Sequence, residues 1–154
     1  LIGVNTHRAN RIVEHALKNK LIKEFQLVKN ITPEFKYSKD TRFDFLCDKN
    51  IIEVKNVTLL RNKDLAEFPD AITTRGSKHL INLINSIEKN YKPYVLFLTQ
   101  IQGISNFRIA KDIDDNYYRN YKMAKKAGVK FLAYRCALSS KEIKIEKKIN
   151  IIDE

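Results

Sequence analysis

The stretch DTRFDFLCDKNIIEVKNVTLL, residues 40 to 60, decides the fold. It reads as strand, turn, strand, yet it carries Asp44, Glu53 and Lys55 at positions that a sheet fills more readily with Val, Ile or Phe. RFDFLC at 42–47 and IIEVKNVTL at 51–59 are the strands, and DKN at 48–50 is a turn-rich triplet suited to a hairpin. Side chains alternate across a strand, so Glu53 and Lys55 point the same way. In the first strand Arg42, Asp44 and Leu46 share one face while Phe43, Phe45 and Cys47 share the other, which puts Asp44 on the less apolar side. The hairpin then sets Asp44 beside Glu53. Adjacent carboxylates repel, and taking either out of water is costly without a partner. Lys55 is one available partner and a divalent cation another. A solvated charge ladder on an exposed face, worth roughly 0.2–1 kcal/mol per cross-strand pair, is the alternative.

Working outward, residues 10–24 place Ile12, Val13, Ala16, Leu17 and Leu21 on one helical face, with Asn10 as an N-cap and Glu14 at the border of that face. EFKYS at 34–38 completes a three-stranded meander. Residues 71–89 form a second helix through Leu80, Leu83, Ile84 and Ile87, weakened near its start by Gly76. YVLFLTQI at 94–101 is a continuous apolar run, as for a strand covered on both faces. A third helix runs from Asp114 to Ala127 and stops at Gly128, and VKFLAYRCAL and EIKIEKKI follow as strands. The order is α, β, β, β, α, β, α, β, β, a mixed α/β class in one domain over residues 1–154.

At 154 residues, with 44% hydrophobic and 31% charged side chains, the composition is that of a soluble globular domain with no membrane span. The chain opens on Leu1 without the order of a signal peptide, which suggests a trimmed protein lacking an upstream domain. Cys47 and Cys136 stand apart with no second pair and no zinc-type spacing, so a reducing cytoplasm is the expected setting. A net charge of +11 admits a nucleic-acid partner, DNA or RNA, as well as a Lys-rich compositional bias with no ligand. The C-terminal EIKIEKKINII offers edge strands for pairing between subunits, though its lysines oppose this.

Two carboxylates suit Mg²⁺ or Mn²⁺ at a phosphodiester, and a lysine two residues beyond the second is close enough to orient the attacking water. Asp44 and Glu53 are therefore the candidate metal ligands, Lys55 the candidate catalytic lysine, and Glu14 a further carboxylate if the first helix packs across the meander. TTRGSKHL at 73–80 gathers basic groups near a helix start, where backbone N–H groups also favour phosphate; a capped helix start with a solvated face explains it equally. Arg42, Arg75, Lys78 and His79 are the candidate nucleic-acid contacts. His79 as a general base has no identifiable carboxylate to orient it, Asp70 is left out of the metal set, and Tyr117, Tyr118 and Tyr121 are assigned to the core.

The pattern D, eight residues, E-x-K on a hairpin, after a Glu-bearing helix, resembles the PD-(D/E)xK nuclease superfamily. GVNT at 3–6, NRIVEHAL at 10–17, RFDFL at 42–46, EVKNVTL at 53–59, FPDAITTRGSKHL at 68–80 and AYRC at 133–136 together resemble the sugar fermentation stimulation protein family, SfsA, over almost the whole chain. The resemblance implies a restriction-endonuclease-like core, preceded in full-length members by an OB-like domain. It also implies DNA binding and a link to the regulation of sugar use such as that of maltose, either with a metal-dependent nuclease site or as a non-catalytic regulator. Phe43 stands where the superfamily pattern has Pro.

Overall fold

The computed structural model describes residues 6–153. Its elements are α1 (Thr6–Lys18), β1 (Ile31–Lys36), β2 (Arg42–Cys47), β3 (Asn50–Val57), β4 (Leu59–Asn62), β5 (Leu65–Phe68), α2 (Thr74–Ile87), β6 (Lys92–Thr99), β7 (Asn106–Ile109), α3 (Asp115–Ala127), β8 (Lys130–Leu138), β9 (Ile143–Lys148) and β10 (Asn150–Ile151). A six-stranded sheet in the order β1-β2-β3-β6-β8-β9 holds the meander and the buried run. Its centre, β3-β6-β8, is parallel, and both flanks are antiparallel.

Helix α1 covers one face, packing Val13, Ala16 and Leu17 against Ile52, Leu96 and Leu98. On the other face Leu80 and Leu83 of α2 and Tyr117 and Tyr121 of α3 meet Val95, Phe97 and Ala133. Burying each large apolar side chain contributes about 1.5–3 kcal/mol, and the interior of the central strand, residues 94–98, is accordingly apolar and aromatic. One carboxylate ties the starts of α2 and α3 together: Asp114 accepts from Tyr117 N (2.9 Å) as the cap of α3 and from Thr73 N (2.8 Å). Thr73 in turn caps α2 by accepting from Gly76 N at 3.0 Å. Helix α3 ends at Gly128, whose φ of 120° suits a residue without Cβ. No described helix is long and apolar enough to cross a membrane.

Gly76 is required by close approach. A Cβ there would stand 2.9 Å from both Thr73 Oγ1 and Cγ2 and 3.2 Å from the Tyr117 ring. We expect Gly76→Ala to lower stability by about 1–2 kcal/mol in urea unfolding, because crowding and a disturbed cap outweigh the helix propensity gained. A stabilised variant would show that Thr73 and Tyr117 give way freely.

Several expectations are corrected. Helix α1 already contains Asn10, which is therefore no N-cap, and the helix ends at Lys18, leaving Leu21 outside it and 44% exposed. The first strand begins at Ile31, three residues early. Phe43 does not share a core with Phe45 and Cys47: it packs on the α2 side, near His79 and Tyr37, while they pack under α1. The third strand stops at Val57, and Leu59 opens a second sheet in the order β10-β7-β5-β4, absent from the sequence reading. Its strands are short, and an ion-pair network crosses three of them, β4, β5 and β7, above the apolar contacts of Ala66, Phe107 and Ile109. Glu67, 1% exposed, takes Arg61 Nε at 2.7 Å and Arg108 Nη2 at 2.9 Å, so a carboxylate that suggests a loop is buried with its charge matched. The C-terminal stretch is divided between the sheets, β9 at the edge of the larger and β10 beside β7.

Candidate metal centre at a strand fork

β2 and β3 pair only from Cys47↔Asn50 to Phe45↔Ile52. Beyond that point β2 stays with β1 as far as Arg42, and β3 stays with β6 as far as Val57, so the two strands fork. Asp44 fills the fork. Its Oδ2 accepts from Val54 N at 2.7 Å, replacing a ladder bond lost as the strands part, and its Oδ1 accepts from Asn10 Nδ2 of α1 at 2.8 Å. Glu53, 3% exposed, lies beside it and is held from the other side. Lys55 Nζ approaches Glu53 Oε2 to 3.3 Å, and His79 Nδ1 of α2 contacts the same oxygen. Lys55 Nζ and His79 Nδ1 are 3.0 Å apart.

This arrangement separates the two acids. Burial, and then the charge of Glu53, push the Asp44 carboxyl from its ordinary 3.8 up to about 7. Burial acts on Glu53 in the same direction, but the His79 hydrogen bond and the Lys55 charge outweigh it and hold Glu53 at about 2. A proton on Asp44 or a cation between the acids removes the repulsion equally well. Among the described residues no three His, Cys, Asp or Glu side chains form a metal-ligating group. The oxygen donors are those of two carboxylates, the set that Mg²⁺ uses when water and phosphate oxygens complete its shell.

The fork opens into a cleft of about 820 Å³ whose walls include His7, Asn10, Lys55, Asp70, Arg75 and His79. The structure thus joins Asp44, Glu53 and Lys55 and brings Arg75 and His79 to them. Arg42 and Lys78 are exposed and do not line the cleft. Nor does Glu14: its carboxylate pairs with Lys18 at 2.7 Å, and Asn10, one turn earlier, is the α1 side chain that reaches Asp44. The periodicity that placed Glu14 on this flank places Asn10 there too; where the fork crosses the helix is not encoded in it. His79 does have an orienting carboxylate, Glu53, and Asp70, set aside on its turn-like context, is on the cleft wall. Tyr117 and Tyr121 are fully buried, as their spacing suggested.

Residues 7–142 match the family model described as the sugar fermentation stimulation protein RE domain. The chain belongs to the sugar fermentation stimulation protein family. It is 60% identical over 157 residues to the SfsA homologue of Pelagibacter ubique, covering 99% of this chain and 68% of that protein. The homologue of Brucella anthropi is 37% identical, with 98% and 67% covered. The chain therefore spans about two thirds of the length of these SfsA relatives. The solved structure of Pyrococcus furiosus SfsA in complex with Ca²⁺ superposes with a TM-score of 0.87 at 24% identity, over 97% of this chain and 66% of that one. That likeness shows the fold, a mixed α/β core shared with SfsA and consistent with the expected nuclease-like class. Four of the SfsA-type segments meet at the cleft: NRIVEHAL supplies Asn10, RFDFL Asp44, EVKNVTL Glu53 and Lys55, and FPDAITTRGSKHL Asp70, Arg75 and His79. AYRC lies in β8 away from it, with Arg135 bound to Ile104 O and Glu146, and residues 3–5 of GVNT lie outside the described residues.

Proposed function

We propose that this SfsA domain is a divalent-metal-dependent phosphodiesterase acting on DNA. The observation that carries the reading is the meeting of Asp44 and Glu53 at the fork with Lys55 against Glu53, at the base of an open cleft. Asp44 and Glu53 would hold Mg²⁺ or Mn²⁺, which when bound acidifies water and neutralises phosphoryl oxygens. That the Pyrococcus SfsA was obtained with Ca²⁺ supports a cation at this fold. The remaining work falls to the chain. Asn10 and Val54 N fix both oxygens of Asp44, and His79 fixes Glu53, so the acids are oriented before any ligand arrives. Lys55 sets an ammonium where charge develops on the phosphoryl group, and Arg75 on the wall offers a fork of donors to a neighbouring phosphate.

A second reading is a non-catalytic DNA-binding regulator of sugar metabolism on the same fold. It is favoured by the contacts of Lys55 and His79 with Glu53, which balance that charge without an ion. Calorimetric titration of Mg²⁺ and Mn²⁺ into wild type and Glu53→Gln, followed by cleavage of labelled single- and double-stranded DNA with the same samples, separates the two. Metal uptake and cutting by the wild type alone are the expected results. DNA binding with neither leaves the regulator.

A further inference from the structure

Helix α1 carries a second basic surface on the flank turned away from the fork. At about 3.6 residues per turn, Asn10 lies on one side of the buried stripe Ala9–Val13–Ala16, and Arg8, Arg11 and His15 lie on the other. These three side chains wall a groove of about 400 Å³ whose opposite wall is the β8–β9 turn, with Lys141 facing them. The turn is built to hold that position: Ser139 Oγ accepts from the N–H groups of Lys141 (3.3 Å) and Glu142 (3.1 Å) and donates to Glu142 O (3.0 Å). Glu142, the carboxylate of the groove, is 3.6 Å from Lys144.

The pairing of arginines across the molecule says what this surface lacks. Arg61, Arg108, Arg119 and Arg135 each hold a carboxylate, and none of them stands on α1 or at the fork. Among the described residues Arg11, Arg42 and Arg75 hold none; they stand on α1, two residues before Asp44, and on the cleft wall. Cations left without acidic partners around one site are the complement of a phosphate chain, which supplies the missing anions.

We infer that a nucleic-acid backbone bound at the fork continues over the exposed crest of α1 into this second groove, where Arg11 and Lys141 neutralise its phosphates. The inference rests on the proposed function and gives the substrate a length. Crossing a helix about 10 Å wide takes about three stacked nucleotides at about 3.4 Å each, so a strand several nucleotides long spans the track and a dinucleotide does not.

The test compares the full chain with Arg11→Ala/Lys141→Ala, two exposed positions, and with Lys122→Ala/Lys126→Ala on α3 as a charge-matched control. Affinity for DNA of about 20 nucleotides and for a dinucleotide is measured against salt. For the longer DNA the α1 pair should lose about tenfold or more in affinity at moderate salt, and its log–log salt slope should shrink by about 1.5–2. Dinucleotide binding and the α3 control should be unaffected. An unchanged slope, or equal loss in the control, overturns the track, as does a wild type that binds no DNA. Metal-dependent cutting with an unchanged slope removes the track and leaves the fork; the expected slope change without metal-dependent cutting removes the nuclease reading and leaves the track.

Discussion

Lys55→Ala should lower metal-dependent DNA cleavage by about 10²–10³-fold while leaving DNA bound with nearly wild-type affinity. The magnitude is that of removing one preorganised donor from a site where charge develops, and the geometry supports using it here. The Lys55 side chain is 15% exposed and its ammonium is already placed, 3.3 Å from Glu53 Oε2 and 3.0 Å from His79 Nδ1, so no reorganisation precedes its action. A simple phosphate contact would behave differently: its loss weakens binding evenly and shrinks the salt slope by about one, with turnover of bound substrate intact. The measurement is single-turnover cleavage with DNA affinity on the same preparation. Lys55→Gln, which keeps a donor near Glu53, guards against a variant that simply fails to fold. A turnover loss below about threefold in both variants removes Lys55 from the chemistry.

Asp44→Asn should stabilise the metal-free protein at pH 8 and destroy its response to metal. The sign follows from the carboxyl held at about 7 against an ordinary 3.8. A raised folded-state value means that the folded chain holds a proton which the unfolded chain gives up earlier. The stability it contributes is complete below pH about 4 and is lost as pH rises through about 7. Fully expressed, the difference corresponds to about 4 kcal/mol, and sharing of the proton with Glu53 brings the observable part to about 2–3 kcal/mol. The melting temperature of the metal-free wild type should therefore fall between pH 5 and pH 8 relative to Asp44→Asn. Saturating Mg²⁺ or Mn²⁺ should restore it in the wild type alone, because the ion binds the folded state only. Parallel pH profiles for the two proteins, or an equal metal response, would show that the acids do not share this repulsion.

Much of this was legible in the chain. The hairpin, the shared face of Glu53 and Lys55, the buried central strand and the three helices follow from local periodicities of two and about 3.6 residues, and those periodicities survive folding because each element buries one face. The D…E-x-K spacing and the surrounding SfsA-type segments brought Asp44, Glu53 and Lys55 together before any coordinates. What was missed shares one cause. Arg61, Glu67 and Arg108 are 6 and 41 residues apart in pairing, and short charged segments signal a sheet only when such pairs match across it.

By itself, then, the sequence determined the class of fold, the residues of the centre and their family, since these depend on neighbours within a strand or a helical turn. Only the tertiary structure decided that β2 and β3 part at Asp44, that Asn10 rather than Glu14 reaches it from α1, and that Glu53 gains His79 as a partner. Each of these depends on how far one element slides along another. That offset is set by the packing of two apolar layers against a single sheet, and no local pattern of residues records it.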